Sequence, residues 1–139
     1  IILHPPCTAM AVSGNRWYGV GQPRHQERIE AVKWTQKLWD KATSVCKRVA
    51  LENPVGVLNK TGNFPKPNYI QPWQFGHGET KKTGFWLYGL EVLKPTDIVE
   101  GREQKIWKMP PSEDRGKLRS KTYPGIAKAI AEQWAGNGW

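Results

Sequence analysis

The sequence predicts an α/β fold with parallel strands joined through a helix, an antiparallel hairpin, and flanking helices. Three observations carry this. An apolar run, Ile1 to Leu3, is stopped by Pro5-Pro6, because proline cannot donate to a sheet ladder. A second apolar run, Arg48 to Leu51, follows one helix-period stretch, and a single crossover between strands makes them parallel neighbours. Two β-prone runs then flank Gly76 to Lys82, as the arms of an antiparallel pair.

The first ten residues place Cys7 one step past the opening strand. In an open α/β sheet the crevice beyond the carboxyl ends of the strands collects ligands and chemistry. Pro5-Pro6 holds Cys7 in a stiff turn, and a nucleophile must be kept near its attack geometry. The plainer alternative is a small buried hydrophobe, the common fate of a free cysteine. Ala11 to Gln22 is rich in Gly, Ser and Asn, with Arg16, Trp17 and Tyr18 in its middle. It reads as a mobile loop over the crevice, or as an ordinary connection.

From Pro23 to Val45 the period becomes helical: Ala31, Trp34, Leu38, Ala42 and Val45 form an apolar stripe, and Lys33, Lys37 and Lys41 a solvated face. Lys47 to Leu51 is the second strand, ending on Glu52-Asn53-Pro54. Parallel pairing puts both strand ends at one edge, so Cys7 and Glu52 become neighbours across one crevice. A carboxyl at an apolar strand end can hold its proton and act as a donor. The alternative is that Glu52 bonds the following turn.

Tyr69 to His77 and Thr83 to Leu87 are the expected hairpin arms. His77 is a lone histidine among glycines, so no metal site is expected there. Lys94 to Lys121 shows neither a helical nor a strand period. Within 91–122 the densest basic cluster is Arg115, Lys117, Arg119 and Lys121, with Trp107 upstream. Cations beside an aromatic suit phosphates and a stacked base, though a solvated loop has the same composition. Tyr123 to Trp134 closes the chain as a helix with Ile126, Ala127, Ile130, Ala131 and Trp134 on its apolar stripe.

The 139 residues make one domain, 1–139, and the formal charge of +9 favours a polyanion as partner. No stretch is apolar for long enough to span a membrane, so no membrane partner is expected. Two cysteines make no disulfide framework, which points to a reducing cytoplasm. The chain starts at Ile1, inside a strand, and is expected to be the back portion of a longer protein or to gain its missing neighbours in a homodimer.

With these pieces in order, the chain resembles the cytosine-5 DNA methyltransferases, most closely the small phage-type DNA cytosine methyltransferase-like proteins. Pro6-Cys7 matches the family's nucleophile motif and Glu52-Asn53 its Glu-Asn motif, with Pro54 where valine is usual. Phe75-Gly76 through Phe85 corresponds to its arginine-bearing strand motif, with Lys81 and Lys82 at the arginine places. Tyr123-Pro124-Gly125 through Ile130 resembles its closing Gly-containing helix motif. The family's Gly-rich cofactor turn and ribose-binding acid have no counterpart in this sequence, and 91–122 alone could stand for a target-recognition domain.

The resemblance implies a Rossmann-like methyltransferase sheet, present in part, and S-adenosylmethionine as cofactor. It implies DNA as partner and a bacterial or phage-infected cytoplasm as setting. Cys7 would attack cytosine and Glu52 would serve as its acid; Pro5, Pro6, Asn53 and Gly125 would lie at the cofactor. Arg16, Trp17, Lys81, Lys82 and the Arg115–Lys121 cluster would hold DNA or fill the gap left by the target base. The competing expectation is a nucleic-acid-binding or decoy protein that keeps such a fold without catalysis. A third, an amino-methyltransferase, is disfavoured because Cys7 stands where a base-stacking ring is needed.

Overall fold

The computed structural model describes residues 1–60, 62–100 and 123–135. The elements are β1 (Ile2–Leu3), α1 (Asn15–Tyr18), α2 (His25–Val45), β2 (Val49–Pro54), β3 (Asn68–Ile70), β4 (Thr83–Tyr88) and α3 (Pro124–Ile130), with short 3-10 turns between them. The chain is α/β, with a mixed four-stranded sheet in the order β1-β2-β4-β3. β1 pairs with β2 in parallel, Leu3 opposite Leu51, and β2 pairs with β4 antiparallel, Glu52 opposite Phe85. The strand–helix–strand unit and its parallel pairing are as the sequence predicts. No described helix is long and apolar enough to cross a membrane.

The chain divides into two compact units. The first is Ile1–Tyr69 with Thr83–Val92, and the second is Ile70–Lys82 with Leu93–Trp139. In the first, the core is Met10, Trp39, Ala42, Val49, Leu51, Leu58 and Trp86. Strand alternation explains its sheet side: Val49, Leu51 and Asn53 share one face of β2, which leaves Glu52 on the other, beside Phe85. Phe64 meets the Trp39 ring edge-on, with ring centres 6.0 Å apart.

In the second unit, α3 packs against the segment before β4. Its start is tied to that segment by a bond of 3.0 Å from the Gly125 N–H to His77 Nε2. Gln133 donates to the Lys94 carbonyl and accepts from the Lys94 N–H. Phe75 bridges Asp97.

Five expectations are corrected. β2 runs on through Glu52, Asn53 and Pro54, because β4 continues the ladder opposite them. Pro54 is tolerated there because β1 has already ended opposite Leu51, leaving no ladder on that side for it to break. The buried face of α2 carries Arg28, Thr35, Trp39 and Ala42, while Trp34 and Val45 are exposed. The true stripe therefore follows a seven-residue step from Arg28, rotated from the expected one; the lysine face is exposed as expected.

The first hairpin arm is strand only over Asn68–Ile70. Pro72 then opens a 3-10 turn, because Gln71 and Gln74 cap one another and stop the ladder. In α3, Ile126 and Ala129 are buried while Ala127 and Ala131 face out, and the helix ends in a widened π-turn over Ala131–Ala135 that buries Trp134. The Ala11–Gln22 stretch, expected as a loop, carries a 3-10 turn and α1. The basic cluster within 101–122 lies outside the described residues.

Candidate functional site

The site is built where β1 ends alongside β2, within the first unit. Parallel register carries the chain past Leu3 so that His4 meets Glu52 and Pro5 meets Asn53. Because Glu52 and Asn53 alternate across the strand, they do different things. Asn53 points into the protein, 2% exposed, and its Nδ2 donates to the Pro5 carbonyl at 3.3 Å. Glu52 lies on the opposite face, where its Oε2 is 3.6 Å from His4 Nδ1. That separation is ion-pair range, longer than a hydrogen bond. Cys7 is a free, half-buried thiol at the head of the turn, and Cys46, far along the chain, is also free.

The backbone after Cys7 is held unusually fully. The Cys7 carbonyl accepts from the Met10 and Ala11 N–H groups, closing the turn at 2.9 Å each. Met10 is completely buried beneath it, and Thr35 of α2 donates to its sulfur at 3.6 Å. The next residues pair with the loop after β2: Val12 donates to Val55, Val57 donates to Met10, and Ala11 bridges Gly56. Gly56 is needed there, since a Cβ on it would overlap the Met10 carbonyl.

Arg28 of α2 completes the anchoring. It donates to the Ala9 carbonyl at 2.6 Å, the Asn15 side-chain oxygen at 2.8 Å and the Ala11 carbonyl at 3.1 Å. Burial pushes the Arg28 guanidinium down from its ordinary pKa. A planar fork of donors suits three oxygens spread along one loop, which a lysine could not satisfy together. The arrangement is a turn fixed by Asn53 and Arg28 that carries the Cys7 thiol past the end of β1, next to the strand that bears Glu52.

The other candidates are placed as follows. Pro5 is buried, and Pro6 is exposed on the turn. Arg16 and Trp17 sit on α1, which follows the Cys7 turn, and both are exposed. The Arg16 guanidinium lies 5.2 Å from the Trp17 ring centre, so a cation and a half-exposed aromatic face form one surface feature.

In the second unit, Lys82 is exposed, while Lys81 places its ammonium 5.9 Å from the Tyr123 ring centre and its N–H on Gln71. Tyr123 donates to Glu79 at 2.5 Å, and burial together with that bond raises its pKa. Gly125, the second residue of α3, has its N–H taken by His77, and a Cβ on it would overlap the Phe75 carbonyl. Arg115, Lys117, Arg119 and Lys121 lie outside the described residues.

The four residues that the resemblance assigns to S-adenosylmethionine do not fit that group as they stand. A ribose and an amino-acid carboxylate need exposed donors and acceptors. Asn53 is buried and bonded to Pro5, the Gly125 N–H is occupied, and neither proline has an N–H to give. Sequence reasoning missed Arg28, Met10 and His4. Arg28 shares the seven-residue step of Thr35 and Ala42, which is a legible signal. His4 follows Leu3 in alternation and so falls on the Glu52 face, which the parallel register also implies.

Comparison of the chain with protein-family models, curated proteins and solved structures finds no match.

Proposed function

We propose that the chain is an S-adenosylmethionine-dependent DNA cytosine-5 methyltransferase, in fragment or streamlined form, with Cys7 as nucleophile and Glu52 as acid. The observation that supports this best is the parallel β1–β2 pair, from which the Pro5-Pro6-Cys7 turn leaves next to the strand bearing Glu52, with Asn53 bonded to the Pro5 carbonyl. An exposed Arg16–Trp17 pair near that turn in sequence is suited to phosphate and to the gap a displaced base leaves. The resemblance in Pro6-Cys7, Glu52-Asn53 and Tyr123–Ile130 adds to the reading.

The chemistry follows from the electron demand of cytosine. Ring carbon 5 is a weak nucleophile. A Cys7 thiolate adds to carbon 6, the ring electrons shift to a carbon 4–carbon 5 double bond, and ring nitrogen 3 takes a proton from Glu52. Carbon 5 is now electron-rich. Water takes the proton from carbon 5 once that carbon has gained a substituent, Cys7 leaves as thiolate with the electron pair of its carbon–sulfur bond, and the nitrogen 3 proton returns to Glu52, which restores the ring. S-adenosylmethionine is the methyl source this family uses. In this chain it would be held by residues other than Pro5, Pro6, Asn53 and Gly125. The rigid turn contributes by fixing the thiol before the base arrives, so little ordering is left for the reaction itself.

A second reading, a nucleic-acid-binding protein with this fold and no methyl transfer, is favoured by the poor fit of those four residues to the cofactor. Transfer of a radiolabelled methyl group from S-adenosylmethionine to duplex DNA separates the two. The first reading expects incorporation by the wild type and none by Cys7→Ser or Glu52→Gln. DNA binding without incorporation, by a protein shown to be folded, supports the second.

A further inference from the structure

We propose that His4 is the proton relay for Glu52. The proposal rests on the reading of Glu52 as the acid of a cytosine-directed site and names the group that keeps it supplied. Glu52 is the enclosed member of the pair, its side chain 19% exposed, and His4 is the open one at 53%. A carboxyl that gives its proton to ring nitrogen 3 while covered by a base has no direct route to water. His4 supplies one: it stands on the same face of the sheet, 3.6 Å away, and half of it is in solvent.

Among the described residues, Glu52 makes its ion pair with His4. β4 sets Phe85 opposite Glu52, with Gly84 and Trp86 on either side, none of which titrates. On the β1 side the titratable groups are His4 and the Cys7 thiol. α2 packs on the other face of β2, with Val49 and Leu51, and its Arg28 is bonded to Ala9, Ala11 and Asn15. Among side chains histidine is the one whose ordinary titration lies near neutral pH, so it can both give and regain a proton there.

The step balances. Protonated His4 passes the proton on its Nδ1 to the Glu52 carboxylate and becomes neutral imidazole; it then takes a proton from solvent. Run backwards, the same pair drains the proton that returns from ring nitrogen 3. A small rotation of the half-exposed imidazole, or one water between the groups, brings 3.6 Å within transfer range.

Two measurements test it. The first is exchange of the carbon 5 hydrogen of cytosine in DNA, read as tritium release, with His4→Ala compared to wild type and with free imidazole added back. The relay predicts a loss on the order of a hundredfold in His4→Ala and recovery when imidazole is supplied, with KM for DNA unchanged. A loss that imidazole does not repair, or no loss, overturns the relay. The second needs no turnover: carbon-13 NMR of the Glu52 side-chain carboxyl across the pH range where the His4 imidazole titrates. The pair predicts an inflection in the Glu52 signal that coincides with His4 and disappears in His4→Gln. If no such inflection exists, His4 and Glu52 do not share a proton and the proposal is wrong, whatever the catalytic outcome. If the inflection is present but the wild type exchanges no hydrogen, the dyad stands and the methyltransferase reading falls.

Discussion

Replacing Arg28 with Met keeps the length of its buried stem and removes the fork that holds the Cys7 turn. Three bonds are lost, to Ala9, Ala11 and Asn15. At about 1 kcal/mol net for each intramolecular hydrogen bond, the cost is about 3 kcal/mol. The Ala11 carbonyl is on a buried residue and has little water to turn to, which keeps the figure from shrinking. Arg28→Lys recovers one bond of the three and should cost about 2 kcal/mol. The assay is equilibrium urea unfolding. With a slope of roughly 1–3 kcal/mol/M for a protein of this class, the midpoint of Arg28→Met falls by about 1–3 M. The turn should loosen as well, so Cys7 reacts faster with a small disulfide reagent under native conditions while Cys46 is unchanged. A variant within about 0.5 kcal/mol of wild type, with Cys7 reactivity unaltered, would refute the view that Arg28 fixes this turn.

Three further predictions concern the same architecture. Asn53→Ala leaves the Pro5 carbonyl unpaired in a buried place and should cost about 1–3 kcal/mol by urea unfolding, whereas Glu52→Gln, on the opposite face, should cost far less. Gly125→Ala drives a methyl into the Phe75 carbonyl, and overpacking of this kind costs about 1–3 kcal/mol; faster amide exchange at Gly125 and Ala127 would report the loosened start of α3. Tyr123 has a folded-state pKa raised by burial and by its bond to Glu79, from an ordinary value of 10.0. A raised pKa contributes stability below the unfolded value and loses it as pH climbs above that value, so stability should decline with alkali from about pH 10 upward. Tyr123→Phe should be less stable at pH 8 and show a shallower alkaline decline; equal slopes for the two proteins would contradict the assignment.

Much of the first unit was legible because its elements obey simple periods. Ile1–Leu3 and Arg48–Leu51 are short apolar runs bounded by breakers, and a long helical stretch between them leaves parallel pairing as the natural outcome. The meeting of His4 with Glu52 and of Pro5 with Asn53 follows from that pairing. The α2 face was misjudged because the sequence offers Trp34 and Val45 as obvious apolar residues, while the structure buries Arg28 and Thr35 instead. Hydropathy cannot show that a guanidinium will be the fastening of a loop, since its value lies in three carbonyl and amide partners that only the fold assembles. Glu52 and Asn53 adjoin in sequence and invite a shared role, yet a strand sends neighbours to opposite faces once β4 extends the ladder past Leu51. The second unit was less legible because its order comes from side-chain bonds, such as Gln71 with Gln74 and Gln133 with Lys94, that have no periodic signature.

The measurement that tests the central claim most directly is tritium release from carbon 5 of cytosine in DNA, run with and without S-adenosylmethionine. It reads the Cys7 adduct itself, because carbon 5 exchanges its hydrogen with water only after carbon 6 has been attacked. The account predicts release by the wild type, none by Cys7→Ser, and strong loss in Glu52→Gln. Release that survives Cys7→Ser, or no release by a folded wild type that binds the DNA, would contradict it.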